Sequence, residues 1–78
     1  LTYAENSERE NHDAAIADFN KAIQLDPDKI DAYSARANSF SKKGNYDAAV
    51  ADLYKAIQLN PNNAELHNAR AWAYYLKG

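Results

Sequence analysis

The chain has no cysteine, no methionine, only two glycines, two prolines and one tryptophan in 78 residues. Without cysteine there is neither a disulfide nor a thiolate metal site. That fits a reducing compartment and sets the expectation of a cytoplasmic protein. Two glycines are too few for a phosphate-cradling loop. The longest apolar run, Ala71 to Leu76, is far too short to cross a bilayer. No stretch has the pattern of a secretory leader. No basic stripe stands out, since acidic and basic residues are interspersed and the net charge is −2. That balance speaks against a nucleic-acid surface. The lack of Met together with a start at Leu1 sets the expectation of a piece cut from something longer. A chain this short buries only about 60–65% of its unfolded surface. Its stability must therefore come from helix packing, association or a ligand.

What the chain has instead is repetition. KAIQLDPDKIDAY, Lys21–Tyr33, returns 34 residues later as KAIQLNPNNAELH, Lys55–His67. Comparing Asn11–Lys29 with Asn45–Asn63 position by position gives 12 identities in 19. Ile30–Gly44 and Ala64–Gly78 echo each other more weakly. They share Ala35/Ala69, Arg36/Arg70, Ala37/Ala71, Lys43/Lys77 and Gly44/Gly78, with Phe40/Tyr74 similar. An internal period of this size signals a repeat architecture.

Each half reads as a helix. Ala49, Val50, Leu53, Ala56 and Ile57 recur at spacings of three and four. Asn45, and by register Asn11, can cap a helix whose first turn carries Asp47 or Asp13. Pro27 and Pro61 end those helices, because the residue before proline avoids helical geometry. Asn63 caps the segment from Ala64, while Asp28 or Lys29 opens the one from Ile30. Gly44 stands where a helix end needs left-handed backbone, after the cations Lys42 and Lys43. The pattern predicts helices over 13–25, 31–43, 47–59 and 64–77, antiparallel across short turns.

Leu1–Glu10 would, by the period, be the first helix of another pair. It lacks the landmarks: Glu10 stands where Gly44 and Gly78 do, His12 where Tyr46 does, and Asn6 where Phe40 and Tyr74 do. It is expected to be a weak helix that offers little to pack.

A 34-residue helix–turn–helix unit with these aromatic, small and proline landmarks resembles the tetratricopeptide repeat. The likeness covers 11–78. One full repeat runs Ile30–Asn63, with Tyr33, Ala37, Phe40, Gly44-Asn45-Tyr46, Ala49, Leu53, Ala56 and Pro61 at the family's positions. Residues 1–29 read as a partial, degenerate repeat, with Ala15, Phe19, Ala22 and Pro27 matching. Residues 64–78 read as the first helix of a further one, with Ala71 and Tyr74 matching. Two departures stand out: Arg36 and Arg70 where the family often has Leu, and His67 in place of an aromatic. The pentatricopeptide relatives, which read RNA, have a period one residue longer, and both the period of 34 and the acidic balance count against them. The expectation is thus a single all-α domain of tandem antiparallel hairpins, a fragment of an α-solenoid, with about four well-formed helices plus the weak N-terminal one.

Helices pack closely where small residues of one receive large ones of the other. Ala37, Ala49, Ala56 and Ala71 read as the holes; Tyr33, Phe40, Tyr46, Leu53 and Tyr74 read as the knobs. That core reading of the tyrosines outweighs a ligand role. No catalytic constellation is visible. His12 and His67 lie at unlike repeat positions with no nucleophile beside them. No ligand cluster for a metal appears, and Asp18 and Asp52 read as helix-pairing or solvated residues. The chain is expected to be no enzyme and to need no cofactor or metal.

What remains is a surface, and the resemblance implies its place: first helices line a concave groove that holds peptides. The matching positions are Asp31, Ser34, Asn38, Ser41 and Lys42, then Glu65, Asn68, Trp72 and Tyr75. Asn38 and Asn68 carry amides able to bind an extended backbone, and Trp72 and Tyr75 are candidate anchors. The plainer reading of the Asn and Ser residues is solvated surface. The family's cationic clamp for chaperone tails is not expected, since only Asn38 fits it while Ser34, Glu65 and Ala69 stand at the partner positions. A protein or peptide partner is the first expectation, without nucleic acid or membrane.

Self-association is the second expectation. The helix 64–77 adds Trp72, Tyr75 and Leu76 to its core set, an apolar patch of the kind that marks interfaces. Joined end to end, the last residues of one copy and Asn11 onward of another read AWAYYLKG–NHDAAIADF, a good repeat. The contact would be heterologous.

Overall fold

The computed structural model describes the backbone of residues 3–78 and the side chains of residues 11–78. Four α-helices follow one another: α1 Tyr3–Leu25, α2 Ile30–Lys42, α3 Tyr46–Leu59 and α4 Ala64–Lys77. Each packs on its sequence neighbour, α1 on α2, α2 on α3 and α3 on α4. The connections are three or four residues long, so neighbours run antiparallel. The last three helices start and stop within one residue of the expected bounds.

The N-terminus differs from expectation. Tyr3–Glu10 is helical but is no helix of its own: it runs without a break into Asn11–Leu25, giving one helix of 23 residues. At 1.5 Å per residue this is about 34 Å long, against about 20 Å for α2. The cause is the missing glycine. After α2, Gly44 takes φ +83°, and two hydrogen bonds close the helix end: Gly44 N–H donates to the Ser41 carbonyl at 3.0 Å and Asn45 N–H to the Phe40 carbonyl at 2.9 Å. That double bond pattern needs a left-handed residue at its centre. Glu10 would pay a steric penalty there, so the helix carries on. The packing expected of the Leu1–Glu10 side chains lies outside the described residues.

Asn45 caps α3 by accepting from Ala48 N–H at 3.3 Å, and Asn63 caps α4 by accepting from Glu65 N–H at 2.9 Å and Leu66 N–H at 3.4 Å. Lys29 precedes α2 without a side-chain cap. Asn11, expected as a cap by register, lies inside α1 instead. The two asparagines should therefore respond oppositely to alanine. Asn63→Ala should cost about 1 kcal/mol, and Asn11→Ala should be neutral or slightly stabilising, since alanine is the better helix interior residue. Urea titration followed by circular dichroism separates the two.

The core gathers around α3. Tyr33 and Ala37 of α2, Ala49, Leu53, Ala56 and Ile57 of α3, and Leu66 and Ala73 of α4 form one buried cluster. Ala49 and Ala56 are fully buried, as holes should be. Ala71 and Tyr74 do not join this core: Ala71 is exposed and Tyr74 keeps 53% of its surface. They lie on the side of α4 where no following helix packs among the described residues. Tyr46 is half-buried.

Candidate functional site

Because α2 and α4 both pack on α3, they stand side by side as first helices, and a groove of about 520 Å³ opens between them. Ala37, Leu53, Leu66 and Ala73 form its floor, and Ile30, Ala69 and Leu76 add apolar wall. The polar rim comes from Asp31, Ser34, Asn38, Ser41 and Lys42 on α2, from Glu65 on α4 and from its cap Asn63. Trp72, 62% exposed, overhangs it. Tyr75 stacks on Trp72 with ring centroids 5.2 Å apart and an interplanar angle of 22°.

Seven of the nine expected groove residues therefore line this cleft: Asp31, Ser34, Asn38, Ser41, Lys42, Glu65 and Trp72. Asn68 lies exposed outside it, and Tyr75 reaches it only through its stack on Trp72. The apolar floor was not among the expected site residues. Its signal was present, since Ala37 and Leu53 were already assigned to the core, and a groove between helices must expose the edge of that core. Trp72 and Leu76, expected in a self-association patch, face the groove as well.

Polar joints tie neighbouring helices together. Arg36 donates from Nε and Nη2 to the two carboxylate oxygens of Asp52 at 2.7 and 2.6 Å, and from Nη1 to Asn20 Oδ1 at 2.7 Å. One guanidinium thus ties α1, α2 and α3 together. Asp52 is buried, and its fork-to-fork bond holds Arg36 still more firmly protonated than usual, outweighing the opposing effect of burial. The guanidinium also lies 5.9 Å from the ring centroids of both Tyr33 and Phe40. At the helix ends Lys43 pairs with Asp13, and Lys77 pairs with Asp47 at 2.6 Å. Asp47 raises the pKa of Lys77 through their hydrogen bond and charge attraction. Both lysine pairs are solvent-exposed and contribute little energy.

His67 is less of a departure than its residue type implies. Tyr33 Oη donates to the Pro27 carbonyl at 2.7 Å. His67, one period later, places Nε2 2.8 Å from the Pro61 carbonyl. The carbonyl only accepts, so the imidazole carries its proton on Nε2 and fastens the turn as the phenol does.

Among the described residues no three His, Cys, Asp or Glu side chains gather as a metal site, and no helix is long and apolar enough to cross a membrane. No curated protein matches the chain closely enough to count as a relative. A family model described as TPR repeat matches residues 8–44 and again residues 37–78, spanning nearly the whole sequence in two registers. With a period of 34 residues, helices paired across short turns and alanines at the helix crossings, the chain belongs to the TPR repeat family.

Proposed function

We propose that this chain is a non-enzymatic protein-interaction scaffold that holds an extended peptide in the groove between α2 and α4. TPR repeats generally mediate protein–protein interaction. The observation that carries the finer reading is the groove's composition: an apolar floor, a rim of short polar side chains and an exposed tryptophan at its margin. Apolar clefts with a few placed polar groups are the usual form of ligand sites. Asn38 offers both a donor and an acceptor to a peptide backbone. Trp72, already stacked on Tyr75, has little freedom to lose on binding and supplies the anchor.

Trp72 is the sole tryptophan, so its emission reports directly on the groove. Short peptides selected against the immobilised chain should shift that emission on binding. Asn38→Ala should weaken them by about five- to ten-fold, the worth of one hydrogen bond. Trp72→Ala, followed by polarisation of a labelled peptide, should weaken them by about 30-fold or more. Selected peptides that bind both variants as tightly as the parent would defeat the groove reading.

A further inference from the structure

The repeat allows the chain to be compared with itself. The contact between α2 and α3 joins the first and second helices of one repeat. In it, Ala49 and Ala56 are fully buried, Leu53 is 4% exposed and Asp52, paired with Arg36, is 6% exposed. One period earlier, α1 carries Ala15, Asp18, Phe19 and Ala22 at the same positions. There Asp18 is exposed and the other three are only half-buried. One period later, α4 carries Arg70, Ala71 and Tyr74 where α2 carries Arg36, Ala37 and Phe40. Arg70 is half-buried and the other two are exposed. Ala37, Ala49, Asp52, Leu53 and Ala56 are buried where the two helices meet, whereas Ala71, Tyr74 and Asp18 are exposed on helices that have no such mate among the described residues.

We propose that these two open faces are mates: α4 of one copy packs on α1 of a second copy as α2 packs on α3, with Arg70 clasping Asp18. The charge is complementary in kind and in place. Arg36–Asp52 supplies the bidentate template within the chain, while neither Arg70 nor Asp18 has a side-chain partner among the described residues. By register, the residue of the same chain that would meet Asp18 is Thr2, which offers no cation. The unbroken α1 also keeps the site open. A glycine turn at position 10 would fold Tyr3–Glu10 back along Asn11–Leu25, whereas the continuous helix carries that segment away along its own axis. The patch is distinct from Trp72 and Leu76, which face the groove, so association and peptide binding use different faces.

A contact of one helix on one helix falls in the small, weak class of interfaces. It is heterologous, so copies add in a row or close into a ring. Sedimentation velocity from about ten micromolar to about one millimolar tests it. The average mass should start at 8.7 kDa and climb with concentration. Arg70→Glu and Asp18→Arg, each alone, should weaken association by about ten-fold or more, because each sets like charges face to face. The double variant, with both charges exchanged, should associate again, as should an equimolar mixture of the two single variants. Circular dichroism confirms that each variant is folded, and binding of a selected peptide at Trp72 should survive in all of them. A wild-type mass of 8.7 kDa throughout overturns the proposal. So does association that ignores the single reversals, or a double exchange that stays monomeric.

Discussion

Leu53→Ala should lower the thermal midpoint of the chain by about 10 °C or more. Leu53 sits at the centre of α3, 4% exposed, between the alanines Ala49 and Ala56 that let α2 approach. Removing it deletes buried methyl groups and leaves a cavity that flanking alanines are too small to fill, a loss of about 2–5 kcal/mol. A chain of 78 residues has on the order of 4–12 kcal/mol of stability in all, so this one change removes a large share of it. Phe19→Ala is the internal control. Phe19 occupies the same register in α1 but is only half-buried, and its truncation should cost less than half as much. Differential scanning calorimetry at low concentration compares the two. Equal losses would mean that α1 and α3 are equally enclosed, contrary to the packing described.

Asp52→Ala should destabilise the chain by about 1.5–3 kcal/mol, while Asp18→Ala should stay within about 0.5 kcal/mol of wild type in dilute solution. Taking one partner from a fully buried ion pair costs about 3–5 kcal/mol. The expectation here is lower because the Arg36 side chain keeps 20% of its exposure and its bond to Asn20. Asp18 holds the same repeat position, exposed and with no side-chain partner among the described residues, and exposed residues of that kind are nearly silent. Urea titrations of both variants at micromolar concentration give the two numbers. Comparable losses would show that the aspartate serves its own helix, not the contact between helices.

The helices were legible because three signals agreed. The three- and four-residue spacing in Ala49–Ile57 marked the buried face of α3, the prolines marked the ends of α1 and α3, and Gly44 marked the end of α2. The fusion at Glu10 is half legible: the sequence shows the missing glycine, but the repeat period points to a separate helix. A turn needs its left-handed residue, and without one the local preference for continuing the helix wins. Most of the groove rim was placed by the resemblance, because periodicity fixes which helix face a residue joins.

The apolar floor was missed for the same reason that the core was found, since floor and core are the same residues seen from two sides. In the sequence Arg36 stands alone as a departure at a leucine position, and Asp52 is one residue of a helix-pairing or solvated set. That the two meet depends on the crossing of α2 and α3, which no local pattern contains. The open faces of α1 and α4 were likewise invisible in composition. They emerge only when burial in one repeat is set against burial in the next.

Dilution of a ¹⁵N-labelled chain from about one millimolar distinguishes the association face from the peptide groove. Amide resonances should move in two groups, around Arg70, Ala71 and Tyr74 on α4 and around Ala15, Asp18 and Ala22 on α1, while Ser34, Asn38 and Ser41 in the groove stay fixed. Movement confined to the groove residues, or none at all, would contradict their separation.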